Sequence, residues 1–227
     1  MVDGTTMKLL DLFCGAGGAA MGYHRAGFDV VGVDIAPQPH YPFEFHQADA
    51  LTYLAEHWQE FDVIHASPPC QGYSRSRWLK NARGDAPRVI DEVRAALIAA
   101  NRPYVIENVV GAPLVNPLML CGSMFKLGVL RHRLFECEPP IYFAPAVCRH
   151  GPVMPIYWGE RRRRLARGDV FEYITVAGRS FLMPEARRAM GINGMTQSEI
   201  AQAIPPAYTE YVGRILMAAC ARRHPRV

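Results

Sequence analysis

The stretch Asp11-Leu-Phe-Cys-Gly-Ala-Gly-Gly18 decides the fold that this sequence predicts. It joins a short apolar run at residues 8–13 to a helical pattern at residues 19–26, which ends at Gly27. A glycine-rich turn between a strand and a helix is typical of nucleotide-binding α/β proteins, because glycine lets the backbone approach a ligand closely. The stretch therefore predicts a first strand, a turn that can bind a ligand, and a first helix.

Apolar runs and helical patterns alternate in the segments that follow. Further strands are predicted at residues 29–33, 61–66 and 103–106, and a helix at residues 89–100 with Val93, Leu97 and Ala100 on one face. Strands that alternate with helices favour a largely parallel sheet. We therefore predict an α/β fold with a mostly parallel sheet.

Composition narrows the class of protein. The chain has 227 residues, a formal net charge of +4 and six scattered cysteines. Scattered cysteines predict a reduced, cytoplasmic protein rather than a disulfide framework. We see no secretory signal pattern and no apolar run of about 18 residues, so we expect no membrane segment.

The composition of the chain changes after residue 136. Prolines and aromatic residues interrupt residues 137–183, which predicts a small irregular lobe, and residues 196–222 return to a helical pattern with a break at Pro205 and Pro206. We therefore predict three parts: a catalytic and cofactor-binding domain at 1–136, a recognition lobe at 137–183, and a segment at 184–227 that returns to the first domain.

Chemically active residue types lie at the predicted strand ends, where ligands bind in parallel sheets. The glycine turn with Asp34 at the end of the next strand predicts a nucleoside-bearing cofactor, either a nicotinamide dinucleotide or S-adenosylmethionine; a tight turn without a ligand is the alternative. Cys70 follows a strand end and is a candidate nucleophile, although most loop cysteines are inert. Glu107 ends a buried strand, where burial can raise the pKa of a carboxyl group and make it an acid.

Three segments resemble the ordered motifs of the cytosine-C5 DNA methyltransferases. They are Asp11 to Gly18, Pro68-Pro-Cys-Gln-Gly-Tyr-Ser74 and Glu107-Asn-Val109, and the resemblance extends over residues 8–212. It implies a Rossmann-like S-adenosylmethionine-dependent methyltransferase fold with a small recognition lobe, in a compact form like that of phage enzymes. It also implies methylation of a flipped cytosine in double-stranded DNA through a covalent bond to the nucleophile.

The resemblance also implies roles for individual residues. Cys70 matches the nucleophile, Glu107 the acid that binds the base edge, and Arg133 the arginine that holds the cytosine, with Arg131 as a second candidate. S-adenosylmethionine, which leaves as S-adenosylhomocysteine, is expected to contact ten residues: Phe13, Cys14, Gly15, Ala16, Gly17, Gly18, Asp34, Ile35, Asp49 and Pro69.

DNA contacts are expected from two basic segments. The loop at residues 74–87 has the length to close over DNA, and an arginine run with nearby aromatics favours contacts to phosphates. The residues expected to bind DNA are Gln71, Ser74, Arg75, Arg77, Arg161, Arg162, Arg163 and Arg164. We expect a monomer in the cytoplasm of a prokaryotic or phage-infected cell.

The chain departs from the family pattern at two places, and one cluster raises the question of a metal. Val129 stands where the arginine motif usually has Gln, and Pro205-Pro206 replaces a polar pair. Cys137, Cys148 and His150, with His132 nearby, lack a tight Cys-x2-Cys knuckle and an assigned fourth ligand, so no metal is predicted.

Three other functions remain open as alternatives. The first is a cytosine-C5 methyltransferase that acts on RNA, although that branch has Pro-Phe after its Pro-Pro-Cys-Gln, where this chain has Gly72 and Tyr73. The second is an inactive DNA-binding relative, which would have no chemical need for Cys70 and Glu107. The third is a nicotinamide-dinucleotide-binding protein, which would leave the Pro-Pro-Cys segment unexplained.

Overall fold

The structure is a computed structural model that describes residues 6–73, 88–154, 160, 164–178 and 181–223. Its centre is a seven-stranded sheet in the order β3-β2-β1-β4-β5-β7-β6. The strands are β1 (Lys8–Leu12), β2 (Asp29–Asp34), β3 (Glu44–Gln47), β4 (Val63–Ala66), β5 (Tyr104–Asn108), β6 (Leu118–Leu120) and β7 (Arg133–Glu138). The five neighbouring strands from β3 to β5 are parallel, so their carboxyl ends meet at one edge of the sheet. β7 runs antiparallel to both β5 and β6.

Helices cover both faces of this sheet. They are α1 (Gly18–Ala26), α2 (Ala50–His57), α3 (Ile90–Ala100), α4 (Met183–Met190), α5 (Gln197–Gln202) and α6 (Pro206–Arg223), with short 3-10 helices at Trp58–Glu60 and Gly122–Phe125. Successive residues of β1 point to opposite faces. Leu9 packs with Tyr23 of α1 and Tyr208 of α6, whereas Leu10 packs with Leu54 of α2 and Leu97 of α3.

The predicted α/β class with a mostly parallel sheet is confirmed. The predicted strands and helices of the first half occur within a few residues of their expected bounds, and Val93, Leu97 and Ala100 form the buried face of α3. No pattern in the sequence predicts β3, α2, β6, β7 or α4. Cys137 belongs to β7, so the sheet extends past the predicted start of the lobe, and the three-part division stays a prediction.

Among the described residues, no helix is long and apolar enough to cross a membrane.

Candidate active site

The glycine turn after β1 is shaped by left-handed backbone conformations. Phe13, Gly15 and Gly17 have φ values of 56°, 50° and 84°, and Gly17 is the N-cap of α1. The amide of Gly15 donates a hydrogen bond of 3.0 Å to Oδ2 of Asp34. The turn is thereby fixed to the end of β2, where the two strands lie side by side.

Two of the glycines have different structural tasks. A Cβ on Gly17 would lie 2.7 Å from Cδ of Pro42, so this glycine allows close packing of the segment after β2. A Cβ on Gly15 would meet nothing within 4 Å. The turn therefore borders open space at Gly15, which is where a ligand can approach the backbone.

Asp34 and Ile35 give this open space the character of a nucleoside site. The two Asp34 oxygens accept from the amides of Gly15 and Ala36, both at 3.0 Å. A carboxylate has about four acceptor positions, so about two remain for ribose hydroxyls. The side chain of Ile35 is 73% exposed, and it offers an apolar surface beside the carboxylate. These residues fit a nucleoside-bearing cofactor.

Other residues expected at the cofactor occupy less direct positions. Asp49 is the N-cap of α2, and its Oδ1 accepts from the amide and hydroxyl of Thr52, which lowers the pKa of this exposed carboxyl group. Cys14 is buried, and burial raises the pKa of its thiol. Ala16 packs in the apolar cluster around α4. Phe13 and Pro69 are half-buried, as ligand-contacting residues at a strand end can be.

The Pro-Pro-Cys loop after β4 is tied to the end of β5. Nδ2 of Asn108 donates to the carbonyl oxygen of Pro68 over 2.9 Å in a buried position. Cys70 is half-buried, its carbonyl oxygen accepts from the amide of Tyr73, and Gln71 is exposed. The candidate nucleophile thus lies on a loop held against the strand that carries Glu107.

Glu107 has the properties of a buried acid. Its residue is 5% exposed, and burial raises the pKa of the carboxyl group, although the positive charge of Arg133 opposes this shift. Nε of Arg133 lies 3.0 Å from Oε1 of Glu107, yet no described residue donates a hydrogen bond of acceptable geometry to Oε1. A buried acceptor without a hydrogen bond is costly, so this atom is suited to a partner that arrives with a ligand.

A buried polar chain leads to Glu107 from α1, and the sequence analysis had missed it. The hydroxyl of Tyr23 lies 2.9 Å from Nδ1 of His65, and Nε2 of His65 lies 2.8 Å from Oγ of Ser67. Burial lowers the pKa of His65 to about 3 and raises that of Tyr23, so the imidazole is neutral and the phenol keeps its proton.

A neutral imidazole donates from one ring nitrogen and accepts at the other, so the tautomer of His65 sets the direction of this chain. In the tautomer that is protonated at Nε2, Tyr23 donates to Nδ1, Nε2 donates to Ser67, and the Ser67 hydroxyl is left to donate to Glu107, whose pKa it lowers. The polar residues within apolar runs, His65 in β4 above all, are the signal that could have found this chain.

Arg131 and Arg133 have distinct environments. Arg131 is buried, and its guanidinium donates to the carbonyl oxygens of Val176 over 2.8 Å and Ala201 over 3.0 Å. Burial, with the charge of Arg133, lowers the pKa of Arg131 to about 9. Among the described residues, Arg133 is the one that forms an ion pair with Glu107, whereas Arg131 links Val176 to Ala201 of α5.

Most of the expected DNA contacts lie outside the described residues: Ser74, Arg75, Arg77, Arg161, Arg162 and Arg163. Arg164 is described. Its Nε lies 2.6 Å from Oδ2 of Asp169, and its guanidinium lies 4.8 Å from the ring centroid of Phe171.

Sequence comparison relates the chain to DNA methylases. A profile of the C-5 cytosine-specific DNA methylase family matches residues 7–113. The Type II methyltransferase M1.HphI of Haemophilus parahaemolyticus is 32% identical over 123 residues, which cover 46% of this chain and 32% of that protein. M.HgiGI of Herpetosiphon aurantiacus is 30% identical over 116 residues, which cover 45% of this chain and 90% of that protein. The match to M1.HphI, M.FnuDI and M.HgiDI spans only 32%, 33% and 37% of their lengths.

Solved structures share the fold. A prophage-encoded protein of E. coli, named as a DNA modification methyltransferase, superimposes with a TM-score of 0.65 at 15% identity, over 94% of this chain and 99% of that chain. The Dnmt2 methyltransferase of S. pombe gives a TM-score of 0.60 at 14% identity, over 94% and 98% of the two chains. At these identities the likeness concerns the fold, which is the Rossmann-like fold of methyltransferases.

Proposed function

Because the chain belongs to the C-5 cytosine-specific DNA methylase family, we propose that it methylates carbon 5 of cytosine in double-stranded DNA, with S-adenosylmethionine as the donor. The observation that carries this proposal is the buried Oε1 of Glu107, which accepts no hydrogen bond from the part of the chain that the structure describes and has Arg133 beside it. An amino or imino edge of a base would supply the missing donor. The loop of Cys70 is hydrogen-bonded to the same strand end.

The chemistry assigns a task to each of these side chains. The thiolate of Cys70 adds to C6 of cytosine, and Glu107 supplies a proton to N3 as the electron pair moves into the ring. This addition makes C5 nucleophilic. Bound S-adenosylmethionine supplies the methyl group as an electrophilic sulfonium. Loss of the C5 proton to solvent then expels the Cys70 thiolate, and Glu107 recovers its proton from N3.

Arg133 and the buried polar chain hold the acid in place. Arg133 lies beside Glu107 and can hold the O2 edge of the cytosine while the ring is attacked. A hydrogen bond with Ser67 also supports the carboxyl group. Because the target ring is stacked inside duplex DNA, it must be flipped into this site before Cys70 can reach it.

The residues that we expect at the cofactor are those at the neighbouring ends of β1 and β2. We propose that Asp34 accepts from the ribose, that Ile35 and Phe13 contact the adenine, and that the backbone at Gly15 approaches the methionine part. The residues present fit this group, because open space adjoins Gly15 and Asp34 keeps free acceptor positions.

We also propose that the target is short. A lobe within residues 137–183 offers few side chains to base edges, and each good bidentate contact discriminates by only about 1–3 kcal/mol. By this contact count we expect about two to four specified base pairs around the cytosine. The place of action would be the cytoplasm of a prokaryotic or phage-infected cell, and the monomeric state stays a prediction.

Methylation of plasmid DNA by the purified protein tests the function. The product is mapped at base resolution for 5-methylcytosine, and an RNA pool is treated in parallel. We expect methylated DNA that shares a short motif. Methylated RNA with unmodified DNA would establish the RNA alternative, and a strict six-base DNA motif would contradict the short target.

The covalent step has a separate test with duplex DNA that carries 5-fluorocytosine, in which the missing C5 proton blocks elimination. We expect the wild-type protein to form a stable adduct and Cys70→Ser to form none. Cys137→Ser is the matched control, because that thiol is buried in β7. An adduct that survives in Cys70→Ser would remove Cys70 from the mechanism.

A further inference from the structure

A cluster of metal-binding side chains lies outside the site described so far. Its members, which we call the Cys2His2 cluster, are Cys121, His132, Cys148 and His150, and their ligand atoms all lie within 4.8 Å of one another. Within the described ranges, this is the single group of three or more such side chains arranged to hold a metal. The proposed function uses none of them.

The fold itself brings the first two members together. Cys121 directly follows β6 and His132 directly precedes β7. The two strands are antiparallel, with Leu120 paired to Arg133, so the next pair in register is Cys121 and His132. Cys148 and His150 lie two residues apart, a spacing that places both side chains on one side of an extended chain.

In the sequence alone, Cys137 is a candidate for this role and no fourth ligand is assigned. Cys137 lies within β7, where its thiol is directed to the carbonyl oxygen of Phe135, 3.9 Å away. Cys121, buried at the end of the neighbouring strand, takes its place in the cluster. The complete set of four donors therefore becomes visible only when the strands are paired.

Three of four distances between ligand atoms lie within about 0.3 Å of those around a shared tetrahedral zinc ion, and the Cys148–His150 distance is about 0.7 Å shorter. Zinc bonds of about 2.3 Å to sulfur and about 2.0–2.1 Å to nitrogen give tetrahedral edges of about 3.3 Å between nitrogens and about 3.6 Å between sulfur and nitrogen. Here Nε2 of His132 and Nε2 of His150 are 3.2 Å apart. The sulfur-to-nitrogen distances are 2.9 Å for Cys148–His150, 3.4 Å for Cys148–His132 and 3.9 Å for Cys121–His150.

We propose that the chain binds one structural zinc ion through Cys121, His132, Cys148 and His150. Two thiolates and two imidazoles are a donor set that zinc prefers, and four protein ligands leave no open position for substrate. The ion would fasten the segment after β7, which contains Cys148 and His150, to the ends of β6 and β7.

Neighbouring contacts support this role. Oγ of Ser123 lies 3.7 Å from Sγ of Cys148 and accepts from the amide of Arg149 over 3.3 Å. The ring of Tyr173 packs edge-on against His150 at 5.9 Å. Such outer contacts orient metal ligands. Arg133 donates to the carbonyl oxygen of His132 over 2.8 Å, so the ion would also steady the arginine that faces Glu107.

The first experiment measures metal in the full chain, purified through a tag without histidine and without chelators. We expect about one zinc ion per chain by elemental mass spectrometry. Cys148→Ser and His150→Ala should each lose most of this metal, whereas Cys137→Ser should keep it. Zinc retained in both cluster variants, loss from Cys137→Ser, or a wild-type protein without metal that takes up none would each overturn the proposal.

The second experiment uses the wild-type chain alone, so it does not depend on the folding of a variant. Cobalt(II) replaces zinc, and the visible spectrum is recorded. We expect tetrahedral cobalt bands and a charge-transfer band whose intensity corresponds to two thiolates. Octahedral bands, or a Cys121–Cys148 disulfide found by intact mass under non-reducing conditions, would overturn the proposal.

Removal of zinc by a strong chelator should lower the thermal midpoint by roughly 5 °C, with recovery on addition of zinc; an unchanged midpoint would contradict a structural ion.

Discussion

At the scale of single residues, Glu107 combines three properties that rarely occur together. It is buried, its pKa is raised by that burial, and within the described ranges its Oε1 accepts no hydrogen bond although Arg133 lies 3.0 Å away. The protein maintains this arrangement at a cost in stability. A site that binds and protonates a base edge would explain why.

Glu107→Gln tests this role. An amide cannot supply a proton to N3, so we expect the rate of methyl transfer to fall by about 10²- to 10⁴-fold, while DNA binding is retained. Initial rates with labelled donor and fluorescence anisotropy on duplex DNA measure the two effects. Glu44→Gln, an exposed residue of β3, is the control. Near-normal turnover in Glu107→Gln would exclude it from catalysis.

Ser67→Ala tests the buried polar chain. The hydrogen bond from Ser67 lowers the pKa of Glu107, so its removal raises that pKa further. If the protonated carboxyl group is the active form, the alkaline limb of the rate–pH profile moves to higher pH. The rate should also fall by about tenfold, since the acid is held less firmly. Ser67→Thr keeps the hydroxyl and should restore the limb; a limb that stays in place in Ser67→Ala would refute the role.

Asp11 makes stability depend on pH. Burial raises its pKa from 3.8 to about 8, against the hydrogen bond from Tyr41 and with added repulsion from Asp34 and Glu107. Between these two values the folded chain keeps a proton that the unfolded chain releases, so the free energy of unfolding falls as pH rises.

In the variant Asp11→Asn, residue 11 has no carboxyl group and therefore does not titrate. Over about pH 5 to 7, the free energy of unfolding of both proteins is followed against pH. The decrease per pH unit should be smaller in the variant than in the wild type, and the difference between the two slopes should be about 1.4 kcal/mol per pH unit. Urea unfolding at several pH values measures the slopes. Equal slopes would mean that Asp11 is ionised in the folded protein. The lowered pKa of His65 acts in the opposite sense, with stability lost as pH falls from its ordinary value of 6.5 towards about 3, and it is common to both proteins.

At the scale of elements, the packing of α1 against α6 holds in place the helix that follows the glycine turn. Gly22 of α1 faces α6 so closely that an added Cβ would overlap the carbonyl oxygen of Pro206 and Oγ1 of Thr209. The same Oγ1 donates to the carbonyl oxygen of Ala19 over 2.8 Å. The last helix of the chain is therefore joined to the first one at backbone distance.

Gly22→Ala should separate these helices. Backbone atoms cannot move aside cheaply, so we expect a loss of about 1–3 kcal/mol in the free energy of unfolding, although alanine favours a helix by itself. Denaturant unfolding measures the loss, and Arg25→Ala on the exposed side of α1 is the control. A stabilised Gly22→Ala variant would mean that the two helices lie farther apart.

The elements that the sequence predicted are those with strong local signals. The apolar runs of β1, β2, β4 and β5 are buried on both sides, so their composition differs from that of their surroundings. β6 has three residues and an exposed Met119 at its centre, and β7 carries Arg133 and Glu136. These strands exist because β7 pairs with β5 and β6 pairs with β7, and no local sequence pattern predicts that pairing.

At the scale of the whole molecule, binding to DNA should depend on the arginine run at residues 161–164, of which the structure describes Arg164. Arg164 is engaged by Asp169 and Phe171. We therefore expect Arg164→Ala to weaken binding less than the triple change of Arg161, Arg162 and Arg163 to Ala. The triple variant should lose affinity for all sequences alike and show a salt dependence reduced by up to about three phosphate contacts. Anisotropy titrations over a range of salt concentrations test this. Lost sequence preference at unchanged affinity would show that these arginines contact bases instead.

The sequence by itself determined the order of the motifs, the α/β class and the residue types at the strand ends. These depend on neighbouring residues: glycine permits the turn at Gly15, and apolar runs end at Asp34, Cys70 and Glu107. The ion pair of Arg133 with Glu107, the polar chain through His65 and the Cys2His2 cluster were decided by the tertiary structure alone. Their partners lie many residues apart, and only strand order and register bring them within bonding distance, because contacts between distant segments are set by the packing of the whole sheet rather than by local conformation.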